Sequence, residues 1–183
     1  MRRMVNGVGL ATGVIISFLS IVTVQAEELP TPLEIHSAPS LNDDNIEALL
    51  KPARNYYAFW NTGDPAYAKK ALSTDFVDLN LPEGRPQGPT GPVIASRTFR
   101  KAVPNLTVTI PNAYLVDDYV ISELQFDGNF TGEFGDIKGD GRPVSFKAVD
   151  IYQIRNGQIV TNWHLEDNLT LLRSLGTLPD PQR

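Results

Sequence analysis

Val149-Asp150-Ile151-Tyr152-Gln153-Ile154-Arg155 runs into Asn156-Gly157 and leaves through Gln158-Ile159-Val160-Thr161-Asn162-Trp163-His164-Leu165. β-Branched and aromatic residues flank an Asn-Gly pair, the short-range signature of an antiparallel hairpin. The same period of two extends upstream, so residues 107–113, 119–131, 144–155 and 158–165 read as four strands. Asp117-Asp118 marks a second tight turn, and 135–143 forms a longer Gly-rich connection. A short amphipathic helix over 168–175 follows and ends at Gly176.

Upstream of the strands the period changes to that of a helix. Ile46, Leu49, Leu50, Ala53, Tyr57 and Trp60 fall on one helical face, with Asn42, Asp43 and Asp44 as capping candidates at its start. Pro52 removes a backbone donor inside this pattern, which predicts a kink or short break near Lys51. Asn61-Thr62-Gly63 ends the helix; Asp64 caps a second one with Pro65 in its first turn, running to about Leu72. Phe76-Val77-Asp78-Leu79 reads as a short strand, 81–92 as a Pro/Gly-rich loop, and 93–102 as a third helix stopped by Pro104. Helices followed by a run of strands predict an α+β domain with a curved antiparallel sheet.

The ends of the chain bound the setting. Arg2 and Arg3 precede a charge-free, mostly apolar run from Val8 to Val24, and Val24-Gln25-Ala26 offers a small-residue cleavage site. This predicts a secretory signal over 1–26, cleaved after Ala26, with an exported, periplasmic or extracellular product; the rival reading is an uncleaved anchor. Residues 27–42, with three prolines and no periodicity, read as an extended linker in which His36 is solvated; 43–178 are the domain and 179–183 a tail. No cysteine is present, so disulfides and cysteine ligands are excluded. Without the signal, 14 basic residues face 21 acidic ones, a net charge of −7. That balance argues against nucleic acid and anionic membrane as partners.

Several segments taken together carry a resemblance. They are Phe126-Asp127-Gly128-Asn129-Phe130-Thr131-Gly132-Glu133-Phe134, the hairpin from Val149 to Val160, Trp163-His164-Leu165-Glu166-Asp167-Asn168 and Leu171-Leu172-Arg173-Ser174-Leu175-Gly176, with Trp60-Asn61-Thr62-Gly63-Asp64 at the helix exit. In this order they resemble the SnoaL-like polyketide cyclases of the nuclear-transport-factor-2-like superfamily, over roughly residues 44–176. The resemblance implies a cone-like curved sheet closed by the N-terminal helices around a cavity. It also implies cofactor-free ring closure by a carboxylate acid/base with a histidine nearby. In this chain the family's carboxylate position falls on His164 and its histidine position on Asp150, so the two residue types are exchanged.

The hairpin turn decides whether the two meet. A two-residue Asn156-Gly157 turn pairs Arg155 with Gln158 and sends Asp150 and His164 to opposite faces. A three-residue loop pairs Ile154 with Gln158 and makes them diagonal neighbours on one face, ~7–8 Å apart at the backbone. The turn sequence allows both; the second is the register the resemblance requires. An Asp–His pair in an apolar cavity orients the imidazole and favours its charged form, equipping it for proton transfer on a carbonyl compound.

The candidate catalytic residues are therefore His164 and Asp150, with Asp167 in reserve at the sheet's end. Tyr56, Tyr57, Trp60, Tyr152 and Asn162 are candidates to line the cavity. Each has a structural reading too: a hydrogen-bonded core histidine, a buried structural acid, a helix cap at Asp167, and core aromatics. No metal site and no cofactor are expected, since one histidine outside the linker, without cysteines, is a poor ligand set. The expected partners are a small apolar, carbonyl-containing ligand and a second copy of the chain. The functional alternatives are a cyclase, isomerase or hydrolase, a non-catalytic binding module, and a dimerisation domain.

Overall fold

The computed structural model describes residues 28–179; the expected signal, 1–26, lies outside them. β1 (Glu34–Ser37) comes first, then α1 (Asp43–Thr62), α2 (Pro65–Ala71), β2 (Leu72–Asp78) and α3 (Thr90–Ala102). β3 (Thr107–Thr109), β4 (Asn112–Val116) and β5 (Tyr119–Asn129) follow, with a small hairpin of β6 (Glu133–Phe134) and β7 (Ile137–Lys138). β8 (Pro143–Arg155), β9 (Gln158–Glu166) and α4 (Asn168–Ser174) close the domain.

The main sheet has the order β1-β4-β5-β8-β9-β2, with β3 also paired to β5. Its centre is antiparallel, as expected from the hairpins, but both edges are parallel: β1 pairs with β4 and β2 with β9. Tight turns force neighbouring strands to run antiparallel, whereas β1 and β2 reach the sheet through long connections that leave their direction free.

β1 lies inside the stretch expected to be a linker. Its four residues are all exposed, so no alternation betrays it. His36 is not merely solvated, because its ring stacks on Tyr114 at 4.8 Å and its Nε2 lies 3.1 Å from Asn112 Oδ1. Asn42, at the end of the same stretch, makes a reciprocal cap with Asn45 at the start of α1.

α1 runs through Pro52 without a break. The carbonyl deprived of its donor belongs to Ala48, which is exposed, while Leu49, Leu50, Ala53, Tyr56 and Tyr57 anchor the helix in the core. α3 begins earlier than expected, at Thr90, because Pro92 sits in its first turn, where a missing N–H breaks no helical bond.

Alternate residues of the central strands build the inner face. Val120, Ser122, Leu124 and Phe126 of β5 stand opposite Tyr152, Asp150, Ala148 and Phe146 of β8, and all are buried. Phe126 and Phe146 stack at 5.0 Å, while Tyr56 and Tyr57 of α1 pack on Tyr152 at 5.7 and 6.3 Å. Just past β5, Gly132 donates to the Ala102 carbonyl, and a Cβ there would lie 1.7 Å from the Lys101 carbonyl oxygen. Only glycine permits this approach to the end of α3.

Candidate active site

The β8–β9 hairpin combines two features that the sequence presents as alternatives. Asn156 and Gly157 both have positive φ, 52° and 73°, and form a two-residue turn with Arg155 opposite Gln158. The register then shifts: Ile154 faces Ile159, but Gln153 faces Thr161, leaving Val160 as the extra residue of a bulge. One inserted residue turns every later side chain of β9 to the other face. Tyr152 therefore faces Asn162, Asp150 faces His164, and Ala148 faces Glu166. The tight turn and the shared face coexist, and the Asp–His pair is directly opposed rather than diagonal.

Asp150 is 1 % exposed and accepts three hydrogen bonds. His164 Nδ1 lies 2.7 Å from Oδ1, Asn162 Nδ2 donates to Oδ1 at 2.9 Å, and the Tyr152 hydroxyl donates to Oδ2 at 2.7 Å. Burial alone would raise its pKa, but the His164 charge and these three donors hold it below the usual carboxylate value. Burial likewise works against the imidazolium. Asp150 on Nδ1 and Glu166, whose Oε2 lies 3.5 Å from Nε2, outweigh it and push His164 up to about 10. At neutral pH the pair is thus carboxylate and imidazolium, and both ring nitrogens are donors. Burial and the neighbouring Asp150 raise the Tyr152 phenol well above its ordinary value, so it remains a donor.

The pair abuts a cavity of about 420 Å³ on the inner face, a size suited to a small organic ligand. Tyr56, Trp60 and Asn162 line it as expected. Tyr57 and Tyr152 do not. The Tyr57 hydroxyl turns into the sheet to meet Ser122 Oγ at 2.5 Å, and Tyr152 stands fully buried behind Asp150. Phe99, Phe126, Phe146 and Leu171 give the cavity its apolar wall, and the loop at Pro82–Arg85 forms part of its rim.

Asp167 is not brought to the pair. It is exposed and caps α4, with Oδ1 accepting from Thr170 N at 3.0 Å and Oδ2 from the Thr170 hydroxyl at 2.7 Å. It borders a different cleft, of about 540 Å³, whose lining includes Glu123, Lys147 and Leu165 on the outer face of the sheet. Polar residues absent from the expected set also line the cavity, among them Asp78, Arg85 and Glu166. Glu166 was accessible to reasoning, because the alternation that turns Asn162 and His164 inward continues to it. Asp78 was not, since its place depends on the parallel pairing that sets it beside Asn162. Arg97 and Arg155 are exposed, and Arg155 pairs with Asp118 at 3.5 Å. Among the described residues, no three His, Cys, Asp or Glu side chains cluster as a metal site.

The sequence profile of the SnoaL-like polyketide cyclases matches residues 51–175, more than half of the chain. This chain belongs to the SnoaL-like polyketide cyclase family. A proposed polyketide cyclase from Bacillus cereus ATCC 10987 is similar to it at 35% identity, with 84% of this chain and 97% of that one covered and a TM-score of 0.76. TsrD from Streptomyces laurentii is 25% identical, covering 75% and 99% of the two chains with a TM-score of 0.65. IdmH from Streptomyces antibioticus, at 24% identity, 70% and 98% coverage and a TM-score of 0.64, shares the fold. No curated protein matches in sequence. The SnoaL-like region contains the whole cavity lining, from Tyr56 to Leu172, whereas β1 and the first turns of α1 precede it.

Proposed function

We propose that this SnoaL-like protein binds a small, largely apolar carbonyl compound in the inner cavity and catalyses proton transfer on it without a cofactor. The observation that carries this reading is the Asp150–His164 ion pair at the wall of a cavity whose lining is mostly apolar. Asp150 is a positioning residue, since its oxygens are already taken up by His164, Asn162 and Tyr152. His164, with 24% of its side chain exposed, is the group that meets the ligand. As an imidazolium it donates to a carbonyl oxygen and stabilises the enolate or alkoxide that forms there. Glu166, one strand repeat along the same face, is the carboxylate placed to take a carbon-bound proton. An aldol ring closure and a keto–enol isomerisation use this division of labour; in a hydrolysis Glu166 would instead take a proton from the attacking water.

A sequence-level exchange becomes functional in this reading. A histidine occupies the cavity-facing position where the family resemblance implies a carboxylate, so the exposed member of the pair is the cation. The basic start and apolar run of residues 8–24 support an exported setting. The outer sheet face, with Val116, Tyr119 and Leu165 exposed, supports pairing with a second copy.

Native mass spectrometry of the protein purified from its own host would identify the bound compound. With that compound as substrate, His164→Gln and Glu166→Gln should each abolish turnover while the circular dichroism spectrum is kept. Turnover should also fall as pH rises through about 10, as His164 loses its proton. Unchanged turnover in folded His164→Gln would overturn the reading.

A further inference from the structure

The charge of Asp150 acts on three tyrosines of the inner wall, and these differ in where their hydroxyl protons go. Tyr152 donates to Asp150 Oδ2 at 2.7 Å, and the Tyr57 hydroxyl is paired with Ser122 Oγ at 2.5 Å. Tyr56 is 3% exposed, lines the cavity, and accepts the indole N–H of Trp60 from one turn further along α1. Its own O–H has no acceptor among the described residues. The sealed, partnerless side-chain atoms among those residues are Ser96 Oγ, Arg100 Nε and Asn162 Oδ1, so the Tyr56 oxygen keeps open surface. That surface belongs to the cavity. The charges felt by the phenol are those of Asp150, Asp78 and Arg85, all in the cavity wall, with Asp150 the strongest. Burial and Asp150 raise the Tyr56 phenol above its ordinary value, so it stays protonated and can donate. An unmet donor in so buried a place is costly and calls for an explanation.

We infer that Tyr56 is a further catalytic residue, whose hydroxyl donates to the ligand's carbonyl oxygen from α1 while His164 donates to the same oxygen from the sheet. This deepens the reading above and rests on it. As the carbon-bound proton passes to Glu166, the electron pair of that C–H bond moves into the carbonyl group and the negative charge settles on its oxygen. A hydrogen bond strengthens as its acceptor becomes charged, so the Tyr56 donor acts mainly on the enolate and little on the ketone. Its direction is set in advance: the ring packs on Phe59 and Tyr152, each at 5.7 Å, and the oxygen is held by Trp60. The indole donor on that oxygen also makes the phenol a stronger donor in turn.

The test uses two probes on the full chain at pH 8, with affinities from NMR titration. One is 1-indanone, a neutral ketone; the other is 4-nitrophenolate, a planar anion whose charged oxygen stands in for the enolate. Tyr56→Phe should bind 4-nitrophenolate at least about tenfold more weakly and 1-indanone no more than about threefold more weakly. In the natural protein labelled with carbon-13 tyrosine, the hydroxyl-bearing ring carbon of Tyr56 should be the tyrosine signal that 4-nitrophenolate moves most. Equal weakening of both probes would mean lost packing alone and would overturn the inference. So would 4-nitrophenolate binding kept within about twofold in Tyr56→Phe; if both probes still depend on His164, the proton-transfer reading stands. No binding of either probe below about 10 mM, or binding unchanged in His164→Gln, would overturn both. If Tyr56→Phe does not fold, the labelled carbon decides: a Tyr56 signal unmoved at saturation overturns the inference.

Discussion

Replacing Asp150 with Asn keeps the shape of the side chain and removes its charge, and the structure sets the size of the consequence. His164 titrates near 10 in the folded protein against an ordinary value of 6.5. At 1.36 kcal/mol per unit, that raised value corresponds to about 5 kcal/mol of preference for the charged imidazole, most of it supplied by Asp150. Removing one partner of a buried pair costs about 3–5 kcal/mol, of the same order. The sign follows from linkage. A raised folded-state value contributes stability that is fully present below 6.5 and is lost as pH rises through about 10. Urea denaturation of the natural protein between pH 7 and 9.5 should therefore show stability falling with a slope approaching ~1.4 kcal/mol per pH unit. Asp150→Asn should be less stable by about 3–5 kcal/mol at pH 7 and nearly flat across that window. Any exposed group that also titrates there is common to both proteins and cancels in the comparison. Parallel slopes for the two proteins, or a loss under about 1 kcal/mol at pH 7, would refute a charged pair at this site.

Tyr152→Phe deletes a buried hydroxyl that donates to Asp150 and should cost about 1.5–3 kcal/mol in denaturant melts, without changing the cavity-facing surface. Asp167→Ala should lower the melting temperature through loss of the α4 cap and leave turnover intact, which separates a cap from a catalytic acid by one melt and one rate. Gly132→Ala places a Cβ on the Lys101 carbonyl, so a melting temperature within a few degrees of the natural protein would contradict the close approach described here.

The fold was legible because its signals are local and repeated. Alternation in β5, β8 and β9, the Asn156-Gly157 turn, and the Asp64-Pro65 start of α2 each follow from the residues that form them. β1 was hidden because an exposed four-residue edge strand needs no apolar alternation. The parallel edges were hidden because strand direction after a long connection is a tertiary choice.

The site was legible in its members and not in its register. Asp150, His164 and Asn162 were all visible as polar residues inside a β pattern. Their meeting depends on the bulge at Val160, a residue that looks like any other in a strand. Gly marks some bulges, but none marks this one. Tyr57 and Tyr152 were misplaced for a similar reason. Residue type says that a tyrosine is amphipathic, but the partner of its hydroxyl, Ser122 or Asp150, decides which way it turns. Asp78 and Arg85 come from a strand end and a proline-rich loop whose position only the assembled sheet and α3 define.

The charged Asp150–His164 pair is tested most directly by the protonation state of His164. The chain has only two histidines, so long-range nitrogen–proton NMR correlations of the natural protein, with His36→Gln to assign them, resolve its ring. Both ring nitrogens should carry protons at pH 7.5, and one proton should leave near pH 10. A neutral ring at pH 7.5, with a midpoint at 6.5 or below, would contradict it.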